Sequence, residues 1–163
     1  MDVSTAIANR RSIRKYKPEQ LSKEDMSKIL EAALLSPSAR NDQARKLIVI
    51  TDEKIKSDMV AACKNQSFVK ECAAVLVAVH NPEKRWSAED CIIMLDHVTL
   101  QAEELGIGTC WIGAFEEDKV KAVAKIPADM RVAICMTIGY PDESPAARPR
   151  KNLDEIVCWE MYQ

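Results

Sequence analysis

The segment from Arg10 to Lys15 is the first part of the chain whose residue types suggest a chemical task. It reads Arg-Arg-Ser-Ile-Arg-Lys, so that Ser12 lies among three arginines. A planar guanidinium group can bind two oxygens of a phosphate at once, and a serine hydroxyl adds a further donor. The segment therefore indicates a phosphate-binding site. A solvated basic patch at the end of a first helix is the alternative when the segment is considered alone.

A second group of cations, Arg148, Arg150 and Lys151, lies on a proline-rich tail near the end of the chain. These side chains either stay solvated or form a second arm of the same phosphate site. The residue types alone leave both alternatives open.

Short polar side chains are concentrated between residues 36 and 43, where the chain reads Ser-Pro-Ser-Ala-Arg-Asn-Asp-Gln. Pro37 favours a turn, and the side chains of Ser38, Asn41 and Gln43 can form hydrogen bonds. Considered alone, such a segment is typical of a connection between a helix and a strand.

Three of the chain's four glycines lie between residues 106 and 113, in the run Gly-Ile-Gly-Thr-Cys-Trp-Ile-Gly. A dinucleotide-binding motif would follow a strand, open a helix and have a glycine where this run has Trp111. This run instead follows a helical pattern and opens a strand pattern. Its glycines either let the backbone approach a flat ligand closely or form a structural turn alone.

The elements that must position these four segments follow from the spacing of apolar residues. Helices are predicted from the capping box at Ser22 to a point before Pro37, from Asp52 through about Ala62, from Ala88 to Leu105, and from Glu116 to Ala124. Strands are predicted at Leu47–Thr51, Ala74–Val79, Thr109–Ile112 and Val132–Ile138. The alternation of helices and buried strands suggests three layers in one domain, without fixing the order of the strands.

The bulk composition narrows the class of protein. A length of 163 residues suits one domain with its own core. Lysine and arginine number 23 against 25 acidic residues, which argues against a general nucleic-acid-binding protein. The N-terminus lacks a secretory signal, and no apolar run approaches the roughly 18 residues of a membrane span. We therefore expect a cytoplasmic protein that binds neither nucleic acid nor membrane.

Six cysteines are scattered along the chain without a Cys-x-x-Cys spacing, and only two histidines accompany them. This pattern does not suggest a zinc or iron–sulfur site, and we predict no metal. In a chain expected in the cytoplasm it indicates reduced, buried thiols.

Taken together and in order, the four segments resemble the nitroreductase family of flavoproteins. The shared layout is RRSxR near the start, PSAxNxQ after a helix, GIGTCWIG after a long helix, and ARPRK near the end. Each motif is short, but four in the same order and at plausible separations are specific. The resemblance covers the chain from about Ala6 to Val157.

The resemblance implies an α+β fold of three layers, in which helices flank a mainly antiparallel central sheet. It implies a single FMN-binding domain over residues 1–163. It also implies an intertwined homodimer with one FMN in each of two clefts at the subunit interface.

The same resemblance implies which residues contact FMN. The phosphate would be held by Arg10, Arg148 and Arg150, with Ser12 on the phosphate or ribityl chain. The flavin ring would meet Arg14 near N1, Gln66 at the pyrimidine edge, and backbone near N5. The loop of residues 37–41 from the partner subunit would cover the face of the ring. The full predicted set is Arg10, Arg11, Ser12, Arg14, Pro37, Ser38, Ala39, Asn41, Gln66, Ile112, Gly113, Ala114, Arg148 and Arg150. No catalytic side chain is predicted, because the chemistry takes place at N5 near the backbone of Gly113 and Ala114.

The activity implied is transfer of hydride from NADH or NADPH, through flavin N5, to a nitroaromatic, quinone or activated-alkene acceptor by a ping-pong mechanism. The alternatives are a non-catalytic FMN-binding protein for storage or redox sensing, and an interaction module without a cofactor. Many family members continue PSAxNxQ with Pro-Trp, whereas this chain continues with Ala44-Arg45. We accordingly hypothesise that Arg40, Arg45 and Trp86 line a cationic mouth for anionic or ring-shaped acceptors.

Overall fold

A four-stranded antiparallel sheet forms the middle layer of the computed structural model, which describes residues 1–162. The strands are β1 (Arg45–Ile50), β2 (Ala74–His80), β3 (Gly108–Ile112) and β4 (Arg131–Gly139). Their order across the sheet is β1-β2-β4-β3, and every neighbouring pair is antiparallel. The α+β class and the antiparallel sheet are confirmed. Gln163, the last residue of the predicted domain, lies outside the described residues.

Helices cover both faces of the sheet. Those within residues 1–162 are α1 (Val3–Asn9), α2 (Lys23–Leu35), α3 (Glu53–Ala62), α4 (Phe68–Glu71), α5 (Ser87–Glu104) and α6 (Glu117–Ala124), with 3₁₀ turns at Ala39–Asn41 and Leu153–Glu155. The four longer helices match those predicted to within two residues at each end. Helices α1 and α4 have too few turns to show a clear helical period. None of the helices in the described part of the chain is long and apolar enough to cross a bilayer.

The starts of α2 and α3 are set by local hydrogen bonds, as the sequence predicts. Ser22 accepts a hydrogen bond through Oγ from the backbone N–H of Asp25 at 3.0 Å. Asp52 accepts one through Oδ1 from the N–H of Ile55 at 2.9 Å. Each cap satisfies a backbone donor that has no partner within the helix.

Strand β2 separates two apolar cores, because successive side chains of a strand point to opposite faces of its sheet. Val75 and Val77 face a core formed with α3, α4 and α6. Leu76 and Ala78 face a second core formed with α2 and α5. This arrangement confirms the predicted three layers and explains why β2 is apolar along nearly its whole length.

The segment after α1 lies along the free edge of β3. Ser12 forms an isolated parallel bridge with Thr109, and the N–H of Ile13 donates to the carbonyl of Thr109 at 2.9 Å. Gly108 permits this close approach, since a Cβ there would lie 2.7 Å from Cγ1 of Ile13. The arginine-rich segment of residues 10–15 and the glycine-containing segment of residues 106–113 are therefore in direct contact.

Tyr16 brings the C-terminal tail to the same edge. Its backbone bridges to Pro141, directly after β4. Its hydroxyl donates to the carbonyl of Ile13 at 2.6 Å and lies 2.8 Å from Oγ1 of Thr137. Burial raises the pKa of Tyr16, so the phenol stays neutral and serves as an anchor within the core.

Candidate functional site

A cavity of about 690 Å³ lies between α1, the segment that follows it and the C-terminal tail. Its lining includes Ile7, Ala8, Arg10, Arg11, Ser12, Arg14, Glu143, Pro145, Ala146, Ala147, Arg148 and Arg150. The cations at the two ends of the chain thus meet in one place. Five arginines against one carboxylate make this cavity suited to a multiply charged anion.

Glu143 joins the two halves of the cavity, and no sequence pattern singled it out. Its Oε1 accepts hydrogen bonds from the backbone N–H groups of Arg14 and, at 3.2 Å, Lys15. Beside it, the N–H of Asp142 donates to the carbonyl of Lys15 at 2.9 Å, and the two side chains form an ion pair at 2.8 Å. These contacts hold the tail, and with it Arg148, against the N-terminal segment.

Arg11 has a structural task as well as a place in the cavity wall. Its Nη1 donates to the carbonyls of Ala8, Asn9 and Arg10 at 2.8, 2.9 and 3.0 Å, which closes the C-terminal end of α1. Its Nε is buried without a hydrogen-bond partner, the one side-chain nitrogen or oxygen in that state within residues 1–162. A buried donor of this kind is costly unless an acceptor satisfies it. A phosphate oxygen in the cavity fits this requirement.

Charged side chains of the cavity act on β3 at Cys110. Burial raises the pKa of Cys110, and the charges of Arg14 and Arg10 act in the opposite direction. The charge of Glu143 acts in the same direction as burial, so β3 lies within reach of charges of both signs from the cavity.

The far end of β3 holds a second group of predicted site residues. Gln66 donates through Nε2 to the carbonyl of Ala114 at 3.2 Å and to that of Cys63 at 2.8 Å. A Cβ on Gly113 would meet only Cδ1 of Ile134, at 4.0 Å, so one side of this residue is open. Ile112 is buried in the core, so only its backbone can contact a ligand.

The third group of predicted site residues, Pro37, Ser38, Ala39 and Asn41, does not line the cavity. These residues lie on the loop between α2 and β1, where Pro37 and Asn41 are exposed and Ser38 and Ala39 half-buried. Within one chain, the structure brings together the segments around Arg10, Gly108 and Arg148, but not the segment of residues 36–43.

Comparison with known proteins identifies the family of this chain. A family model described as "Putative TM nitroreductase" matches residues 2–162. A protein of Archaeoglobus fulgidus named "Putative NADH dehydrogenase/NAD(P)H nitroreductase" is 34% identical, over 92% of this chain and 93% of its own length. The chain belongs to the nitroreductase family. This membership places it among the oxidoreductases, as predicted.

Solved structures agree with the fold of this nitroreductase-family chain. A nitroreductase family protein from Clostridium novyi NT has a TM-score of 0.84 and 34% identity, over 95% of this chain and 91% of its own. An FMN-dependent nitroreductase from Clostridium difficile R20291 has a TM-score of 0.86 and 31% identity, over 96% and 98%. The sheet and the flanking helices are therefore shared along nearly the whole length of all three chains.

Arg45 of this nitroreductase-family chain does not face outward as hypothesised. Its Nη1 and Nη2 donate to the carbonyls of Ser36, Pro37 and Asp90, all within its own chain. It therefore cannot contribute a free cation to a mouth for acceptors. Arg40 and Trp86 are both exposed.

Five of the six cysteines are buried, as predicted, but Cys158 on the tail is exposed. The prediction of buried thiols is wrong at this position because the tail leaves the core after β4. Burial raises the pKa of Cys72 and of Cys91 to about 12, so both thiols are protonated and unreactive at neutral pH.

Proposed function

We propose that the chain binds FMN and passes hydride from NADH or NADPH, through flavin N5, to nitroaromatic, quinone or activated-alkene acceptors by a ping-pong mechanism. The observation that supports this most is the arginine-lined cavity, in which two cationic segments from opposite ends of the chain converge. A volume of about 690 Å³ is within the range of pockets that hold a ligand of cofactor size.

The phosphate end of the site would be formed by Arg10, Arg148 and Arg150, with Ser12 on the phosphate or the ribityl chain. All four residues line the cavity. Arg11 would add its buried Nε as a donor. Guanidinium groups suit this task because they stay charged at any pH the protein meets and bind phosphate oxygens in pairs.

The ring end of the site would extend along β3 from Ser12 towards Gly113. The guanidinium of Arg14 beside N1 would stabilise the negative charge of the reduced flavin. The backbone of Ile112, Gly113 and Ala114 would approach N5. Gln66, which donates to the carbonyl of Ala114, would meet the pyrimidine edge.

A second copy of the chain would complete each site, with the domain of residues 1–163 as the repeating unit. Apolar side chains exposed on α1, α2, α5 and the tail support this homodimer, because a monomer rarely exposes so many large apolar groups. They include Val3, Ile7, Leu34, Leu35, Ile92, Ile93, Leu153, Ile156 and Trp159. The partner would supply Pro37, Ser38, Ala39 and Asn41 to cover the ring.

The visible absorption spectrum of the purified protein, recorded before and after anaerobic addition of NADH and then NADPH, tests this proposal. We expect flavin bands that bleach with at least one nicotinamide. Bands that persist with both would contradict the catalytic role and favour a flavin-storing or redox-sensing protein. A colourless protein that stays colourless after mixing with FMN and desalting would contradict flavin binding altogether.

A further inference from the structure

Arg45, the first residue of β1, forms hydrogen bonds to the loop of residues 36–43. Its Nη1 donates to the carbonyl of Pro37 at 2.8 Å, and its Nη2 donates to the carbonyl and the hydroxyl of Ser36 at 2.7 and 2.8 Å. A further bond from Nη1 reaches the carbonyl of Asp90 at 3.2 Å. Four of the five N–H groups of a guanidinium are thereby used on one loop and one helix start.

Asp90 holds the same loop from the side of α5. It is only 4% exposed, and its Oδ1 accepts a hydrogen bond from the backbone N–H of Ala39 at 3.0 Å. Asp90 lies in the first turn of α5, where the helix dipole favours a negative charge. The loop is thus fixed at three positions, Ser36, Pro37 and Ala39, by one side chain from β1 and one from α5.

The loop needs such support because its backbone is strained. Arg40, Asn41 and Gln43 have φ values of 55°, 57° and 50°, the left-handed region that residues with a Cβ rarely adopt. A strained conformation persists only when the surrounding structure holds it. Bonds inside the loop, such as the one from the N–H of Gln43 to Oγ of Ser38 at 3.2 Å, do not attach it to the rest of the fold.

The held conformation turns the loop outward. Ser36 is buried beneath it, whereas Arg40, Asn41, Asp42 and Gln43 are all exposed. Strain and buried attachment together hold this surface loop in one conformation before any ligand binds. Organisation before binding raises affinity because less freedom is lost when the ligand arrives.

We propose that Arg45 and Asp90 are positioning residues that hold the 36–43 loop ready to cover the flavin ring bound by a second copy of the chain. The inference rests on the proposed function. It assigns no contact with FMN to either residue, because both act through the loop.

FMN affinity, measured by quenching of flavin fluorescence, tests whether Arg45 positions the loop. Arg45→Met removes the guanidinium donors, and Lys46→Met removes the exposed neighbouring cation as a matched control. If the covering conformation falls to about a tenth of the population, the Kd for FMN rises about tenfold. We expect that rise for Arg45→Met and no change for Lys46→Met.

The role of Asp90, on α5, can be tested in the same way. Asp90→Ala removes the acceptor of the Ala39 N–H, whereas Asp90→Asn keeps an oxygen at that place. We expect Asp90→Ala to bind FMN more weakly than the wild-type protein. Asp90→Asn should bind FMN with wild-type affinity, and its apoprotein should have the wild-type Tm. Equal losses in both variants would overturn the proposed role of this hydrogen bond.

A mixed dimer distinguishes which copy's flavin the loop serves. One subunit carries Arg45→Met and the other carries Arg148→Ala, with different affinity tags. If the loop serves the partner's flavin, one site has both defects and the other has none, so half of the sites bind FMN with wild-type affinity. If no such sites appear, the loop acts within its own chain and the inference is overturned.

Failure of the inference can be told apart from failure of the proposed function. A wild-type protein that binds no FMN contradicts the proposed function. A wild-type protein that binds FMN, together with an Arg45→Met protein of equal affinity, contradicts the inference alone.

Discussion

Glu143 accepts a hydrogen bond through Oε1 from the backbone N–H of Arg14, a residue 129 positions earlier in the chain. The same oxygen accepts from the N–H of Lys15. Because both segments carry arginines that line the cavity, this carboxylate, together with the contacts of Asp142 and Tyr16, holds the two halves of the cationic site against each other. It does so while placing a negative charge where the proposed ligand is also negative.

Replacement of Glu143 should therefore change FMN affinity in opposite directions for two variants. Glu143→Gln keeps an oxygen that can accept from Arg14 and removes the repulsive charge, so the Kd should fall. Glu143→Ala loses the hydrogen bond to the N–H of Arg14. Its Kd should rise about tenfold, as expected for the loss of a hydrogen bond to a charged group. Fluorescence titration with FMN measures both. Identical affinities for the two variants would show that this hydrogen bond does not affect FMN binding.

Arg148→Ala should weaken binding of FMN by about 10- to 100-fold, the range expected for one charge-assisted hydrogen bond. Riboflavin, which lacks the phosphate, should bind the variant and the wild-type protein equally. Lys151→Ala is the matched control, since Lys151 adjoins Arg150 but does not line the cavity. An equal loss for FMN and riboflavin would mean that Arg148 is not a phosphate ligand.

Gly108→Ala should destabilise the protein by about 1–3 kcal/mol, the usual cost of overpacking. The added Cβ would lie 2.7 Å from Cγ1 of Ile13 and push the 10–14 segment off β3. Gly113→Ala is the control, because the nearest atom to its added Cβ would be Cδ1 of Ile134 at 4.0 Å. Urea unfolding monitored by circular dichroism measures both. Equal stabilities would indicate that the segment does not pack on β3 as described.

Glu117 should make the stability of the fold depend on pH in the acid range. It accepts two hydrogen bonds of 2.7 Å from Arg131, and this pairing lowers the pKa of Glu117 from its ordinary value of 4.5. A carboxyl whose pKa is lower in the folded state stabilises that state when ionised. Its contribution is therefore present above about pH 4.5 and lost as the pH falls through the lowered pKa.

Glu117→Gln should accordingly lower the urea midpoint at pH 7, by a modest amount because Arg131 is solvent-exposed. At pH 3 the variant and the wild-type protein should unfold at more similar urea concentrations. A gap of the same size at both pH values would mean that ionisation of Glu117 is not its source.

Much of the fold could be predicted from the sequence, because the signals involved are local. Ser22 and Asp52 mark helix starts through hydrogen bonds to residues three positions away. The apolar run of β2 marks a strand buried on both faces. The pairing of β2 with β4, which lies between β2 and β3 in the sheet, depends on contacts between distant segments, and spacing along the chain does not encode them.

For the site, the amino-acid sequence by itself determined the cationic segments around Arg10 and Arg148 and the glycines beside β3, because residue type and order are enough to recognise them. Only the tertiary structure decided that these segments share one cavity, that Glu143 joins them, and that Arg45 faces its own chain. A carboxylate or guanidinium looks the same in sequence whether it is solvated or clamps a loop. The partners that it meets in the folded chain determine which of these it does.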